Sequence, residues 1–194
     1  MRRACYIPNM GIISHNSKRI VAATLVVVMN SLPLGAQTAA ADLLGQLKQV
    51  DESEAIKVER ALELEWSKSG STALDLLLRR GRDAMKEGEF PKAIEHFTAL
   101  IDHAPDFAEG YHARATAFYS AGRFGPSIAD LQRALELNPD NFNAIFGLGV
   151  IFVEIDDLQR AQSAFQSVLD LHPHHQDATD ALKRLEREGI GRAL

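Results

Sequence analysis

The chain has 194 residues, 46% of them hydrophobic and 24% charged, with a formal net charge of −5. This composition excludes a disordered chain and fits one globular domain plus a targeting segment. The negative balance opposes nucleic-acid phosphate and anionic lipid, so no nucleic-acid partner is expected.

The first element is a leader over residues 1–36. Lys18 and Arg19 flank an apolar run, "IVAATLVVVM", and small residues follow up to Ala36. A charged flank, a short apolar stretch and a small-residue site are the parts of a secretory signal. The run is about half the ~20 residues needed to span a bilayer, so cleavage after Ala36 is expected, with Ala39 to Ala41 as alternative sites. Met10 is an alternative start. A leader retained as a membrane tether is the alternative, and only then is a membrane contact expected. Arg2, Arg3, Lys18 and Arg19 all precede the first carboxylate, Asp42. Cleavage leaves 17 basic against 26 acidic residues and moves the net charge from −5 to −9. It also removes Cys5, the only cysteine, and with it thiol nucleophiles, disulfides and thiolate metal sites. A bacterial-type leader and a cysteine-free body point to the periplasm.

Residues 37–70 form an N-terminal helical extension of two helices. Asp51 and Glu54 suit the start of the second helix. The pair reads as a degenerate unit closing the front of the domain that starts at residue 71, with Trp66, the only tryptophan, packed there.

From residue 71 the chain repeats itself. "FPKAIEHFTALIDHAPDF", "FGPSIADLQRALELNPDN" and "LQRAQSAFQSVLDLHPHH" start at Phe90, Phe124 and Leu158, 34 residues apart. Pro105, Pro139 and Pro173 recur at that interval, as do Gly88, Gly122 and Asp156. Each unit reads as two helices. The first begins at a Ser71/Thr72 cap in unit one, and ends at the glycine or aspartate position, which suits left-handed backbone. The second starts near Pro91 or Pro126 and stops at the recurring proline. Gly81, Ala115 and Gly149 share one place in the first helix, and Ala93, Ser127 and Ala161 share one in the second. These small residues let two helices cross closely, while Phe97, Leu131 and Phe165 fill the space between. Residues 176–188 form a last helix, with Ala178, Ala181, Leu182 and Leu185 on one apolar stripe, as a terminal cap requires.

A 34-residue helix-pair period with these small, aromatic and proline positions resembles the tetratricopeptide repeat. Tyr111, Phe118 and Phe152 match its large positions. Arg80 and Arg114 depart from its leucine, and Ala84 from its tyrosine. The resemblance covers three repeats, 74–107, 108–141 and 142–175. It implies an all-α solenoid of three helix pairs, with N-terminal helices and a C-terminal capping helix, in which the first helix of each pair lines a concave face. There the candidate partner-binding residues are Arg79, Arg82 and Lys86 in repeat one, His112, Thr116 and Tyr119 in repeat two, and Phe146, Val150 and Val153 in repeat three. One end is cationic and the other apolar, so the expected partner is a protein or peptide with an acidic end and hydrophobic side chains. The lysine–asparagine clamp of some relatives is not carried over, since Thr116 and Ala113 stand near its asparagine positions.

No nucleophile elbow, phosphate loop, zinc-protease or dinucleotide motif occurs, and neither an enzyme nor a cofactor is expected. His172, His174 and His175 fall in the loop before the cap. They read as a surface turn, with a weak metal site as the alternative, because zinc wants three or four converging ligands.

Overall fold

The computed structural model describes residues 34–189. The expected leader, with Cys5 and Met10, lies outside them, except that residues 34–36 open the first helix. Among the described residues there are nine helices and no strand. They are α1 (Leu34–Leu47), α2 (Glu52–Trp66), α3 (Thr72–Lys86), α4 (Phe90–His103), α5 (Ala108–Ser120), α6 (Phe124–Leu137), α7 (Phe142–Glu154), α8 (Leu158–Leu171) and α9 (Gln176–Glu188). The repeats are the pairs α3/α4, α5/α6 and α7/α8, and α9 caps the last.

Local chemistry sets the helix ends. Gly88, Gly122 and Asp156 adopt positive φ of 75°, 72° and 62° between the helices of each pair. Asp51 caps α2 by accepting the Glu54 N–H at 3.0 Å. Ser71 sits at the N-cap of α3 without a side-chain bond. Instead Asp75 accepts both the Ser69 N–H and the Ser69 hydroxyl, at 3.0 and 2.6 Å.

Packing follows the small-residue register. Ala93, Ser127 and Ala161 are buried to 1% exposure or less. A Cβ added at Gly81 or Gly149 would drive into the ring of Phe97 or Phe165. Repeat two makes the opposite choice: Ala115 carries the Cβ and Leu131 stands where the other repeats have phenylalanine. The Ser127 hydroxyl, which would otherwise be an unpaired buried group, donates to the Ala115 carbonyl at 2.7 Å. Arg114, at the expected leucine position, donates to both carboxylate oxygens of buried Asp130 at 2.7 and 2.8 Å and to Thr98 at 3.2 Å. Its guanidinium lies 5.8 Å from the Tyr111 and Phe118 ring centres. It therefore ties α5 to α6 and α4 by polar contacts where the family pattern uses an apolar one.

The N-terminal pair is not where the sequence places it. α1 and α2 do not close the front of the stack; Leu47, Ala55 and Leu62 join one core with Phe142, Ala161, Phe165 and Val168 of repeat three and Ala178 and Leu185 of the cap. Trp66 packs on Phe142, ring centres 5.3 Å apart. The reason is an unmet apolar demand. α7 is apolar around much of its circumference, with Phe142, Ile145, Phe146, Leu148, Ile151 and Phe152, more than α8 and α9 cover, and α2 takes part of the remainder.

Candidate partner-binding groove

α3, α5 and α7 face a groove whose opposite wall is α2. Toward repeat one its volume is 610 Å³, lined by Arg82, Met85, Lys86, His112 and Thr116 on one side and by Arg60, Glu63 and Leu64 of α2 with its C-cap Ser67 on the other. Toward repeat three it continues as 460 Å³ lined by Thr116, Tyr119, Phe146, Val150 and Ile151. Glu63, His112, Thr116 and Asn143 belong to both parts, so the two are continuous.

Seven of the nine residues chosen from the sequence line this groove: Arg82, Lys86, His112, Thr116, Tyr119, Phe146 and Val150. Arg79 and Val153 are not among its lining residues; both are exposed, Val153 at 39%. Helical rotation carries each past the edge of the concave stripe.

The cationic end has its own counter-ion. Glu109, 8% exposed, accepts from Arg82 at 2.6 Å and pairs with His112 Nδ1 at 3.1 Å. Arg82 also donates to the Ser67 hydroxyl at 2.9 Å, joining repeat one to the end of α2. Burial alone raises the Glu109 pKa, but the charge and hydrogen bond of His112, then Arg82, outweigh it and hold the carboxyl below its ordinary range. Burial likewise lowers His112, and the charge and hydrogen bond of Glu109 reverse this, leaving it raised. An incoming carboxylate must therefore compete with Glu109 for Arg82. Lys86 pairs with Asp83 at 2.9 Å on the more exposed rim. Glu109 and His112 stand three apart on α5 and were legible as a pair. The α2 wall was not, since Glu63 meets Asn143, which donates to it at 2.9 Å, across 80 residues of sequence.

The histidine loop also differs from the sequence reading. His174 is exposed, but His172 and His175 are 2% and 8% exposed, so the cluster is not a surface turn. Both rings pack against Phe142, with centres 5.2 and 6.0 Å away. His172 Nε2 faces Glu59 of α2 at 3.4 Å, and its Nδ1 is buried without a partner. His175 caps α9: its Nδ1 accepts the Ala178 N–H at 3.2 Å. His174 Nε2 lies 3.1 Å from the Val50 carbonyl. Burial, then the neighbouring His172, pushes the His175 pKa down. The hydrogen bond from His172 holds the Glu59 carboxyl low against the effect of burial. No group of three or more His, Cys, Asp or Glu among the described residues is placed to hold a metal ion. The cluster is the seat of α2.

Profile comparison matches the tetratricopeptide repeat over residues 78–141 and again over 112–175. The chain belongs to the tetratricopeptide repeat family. A TPR repeat-containing protein of Rhizobium etli is 29% identical over 150 residues, covering 77% of this chain and 74% of that protein. Hsp70-Hsp90 organizing protein 2 of Arabidopsis thaliana is 26% identical over 105 residues, covering 54% of this chain but only 18% of that longer protein. Among solved structures, the Arabidopsis OM64 TPR domain superposes with a TM-score of 0.58 at 26% identity, covering 60% of this chain and 97% of that domain. The first TPR domain of Spaghetti (RPAP3), solved with the HSP90 peptide SRMEEVD, gives 0.57 at 24% identity, covering 59% and 91%. The all-α helix-pair solenoid is thus shared with domains of this family.

Proposed function

We propose that this TPR protein is an exported, periplasmic scaffold that binds a protein or peptide partner in its concave groove and performs no catalysis of its own. The observation that carries the reading is the continuity of the groove. Polar and charged side chains at Arg82, Glu109 and His112 give way to the apolar surface of Phe146 and Val150 along one channel. Such a gradient fixes the direction of a bound chain: polar groups set register and apolar side chains supply binding energy. Proteins of the same fold solved in complex with peptides support a peptide or protein as the ligand. An acidic end on the partner fits the Arg60 and Lys86 rim, in competition with Glu63 and Glu109.

Export is supported by the apolar run Ile20–Met29 and the small-residue stretch ending at Ala36. N-terminal sequencing of the protein recovered from an envelope fraction tests it. A start at Gln37 fits a periplasmic protein. An intact leader fits the membrane-tethered alternative, and recovery in the cytoplasm alone contradicts both. The groove is tested by partner recovery with Thr116→Arg/Tyr119→Ala against wild type. Both positions line the channel without being fully buried, so folding is spared, and equal recovery removes the groove from the account.

A further inference from the structure

α2 packs beside the concave groove, on Phe142 and the His172–His175 loop, in the manner of a ligand. Its inward residues are Ala55, Glu59, Leu62 and Trp66, which are four, three and four positions apart and share one side of a helix. Ala55 and Leu62 are buried, Glu59 meets His172, and Trp66 meets Phe142. Away from that face, Ile56 and the groove-lining Leu64 are 49% and 64% exposed. Only two of its fifteen residues are fully buried, against four of fourteen in each of α4 and α6. Besides the core packing of Ala55, Leu62 and Trp66, its polar ties to the repeats are three: Glu59–His172, Glu63–Asn143 and, from Ser67 just past its end, Ser67–Arg82. It leaves the groove through a turn with Gly70 in the left-handed region, φ 78°. A helix held by few buried side chains belongs to the low-stability end of a fold. Beneath it lies a seat with polar capacity to spare, since His172 Nδ1 is buried unpaired.

We propose that the surface formed by Phe142, His172 and His175, beside the repeat-three part of the groove, is a helix-receiving seat, that α2 is its resident occupant, and that the partner enters by replacing α2 with an amphipathic helix of the same face. That face carries a small residue, a carboxylate, a branched aliphatic and an aromatic residue at the positions of Ala55, Glu59, Leu62 and Trp66. This rests on the concave side being the partner surface, and it narrows the ligand from a protein or peptide with an acidic end to an amphipathic helix. The seat is shaped for a helix because a helix fills it, and the histidines select the carboxylate. Tethering gives α2 a high local concentration, so the resident keeps weak competitors out until a better-matched helix arrives.

The probe is a labelled synthetic peptide of residues 50–68, added to the full chain and followed by fluorescence anisotropy. Leu62→Asp in the full chain puts a charge into the apolar seat and releases the resident helix. This variant binds the probe at least ~10-fold more tightly than wild type, because a site open in only a fraction of molecules loses apparent affinity by that fraction. A probe carrying the same Leu62→Asp change does not bind, nor does one carrying Val58→Pro. Trp66→Ala, which trims an anchor without burying a charge, gives a smaller gain in the same direction.

Equal binding by wild type and both variants overturns the proposal, as does saturable binding of the proline-broken probe. So does a wild-type dimer with exchanged α2 helices in sedimentation, which would make a second copy the occupant. Loss of the cooperative melt in both variants also overturns it, since α2 would then be indispensable core. None of these readouts depends on the partner pull-down, so the helix seat and the groove reading fail separately.

Discussion

Gly81, Ala115 and Gly149 show how one position and its partner vary together. Glycine faces Phe97 and Phe165, and alanine faces Leu131. Gly149→Ala therefore overpacks the α7/α8 crossing and costs about 1–3 kcal/mol in urea denaturation. Adding Phe165→Leu, which rebuilds the repeat-two pairing, recovers much of that loss; a double variant no better than the single contradicts the complementarity. Arg114 gives a second test. Arg114→Met leaves mostly buried Asp130 without its bidentate donor and costs on the order of 3 kcal/mol. Arg114→Met/Asp130→Leu removes both charges and melts closer to wild type. The small residues and the turn residues were readable from the 34-residue period because each acts on near neighbours. The partners of Arg114 and the Glu109–Arg82 pair were not, because they lie on other helices and a charged side chain at a leucine position has no periodic signal.

At the scale of the element, α2 and its histidine seat carry a pH dependence whose sign can be worked out. His175 Nδ1 accepts the Ala178 N–H only while the ring lacks a proton there, and its pKa is lowered by burial and by His172. Its contribution is therefore complete above the ordinary value of 6.5 and is lost as pH falls through its lowered folded value. Glu59, also lowered, contributes fully above 4.5 and loses that contribution in stronger acid. The other titratable groups at the seat are Glu52 of α2, His172, His174 and Asp177. His112 has the opposite sign: its raised pKa gives stability that is complete below 6.5 and lost as pH rises through the folded value. Acidification from neutral pH is thus expected to loosen the α2 seat while the Glu109–His112 pair holds. Emission of Trp66, the single tryptophan, reports this directly by shifting to longer wavelength as α2 leaves Phe142. His175→Asn keeps a capping oxygen without an ionisable ring and flattens the dependence; an unchanged acid transition would assign it elsewhere.

On the scale of the whole molecule, the family and the solenoid were legible in the sequence because each repeat specifies its own two helices and the same contacts to the next. The position of α1 and α2 was not, since nothing local says which end of a stack an extra helix pair covers. That choice depends on which repeat leaves the most apolar surface bare, and α7 with Phe142, Phe146 and Val150 does so. The consequence for the site is large. Seven residues chosen from the pattern do line the groove, yet its second wall, its counter-ion for Arg82 and the meaning of the histidines all come from elements far away in sequence. The most direct measurement is cross-linking of the full chain with Cys5→Ser, using a short bismaleimide on two introduced cysteines. Glu63→Cys with Asn143→Cys is predicted to close an intramolecular link in high yield, while Glu63→Cys with Lys92→Cys, on the outer side of repeat one, does not. Efficient linking of the second pair and none of the first would put α2 at the front of the stack and contradict a groove walled by this helix.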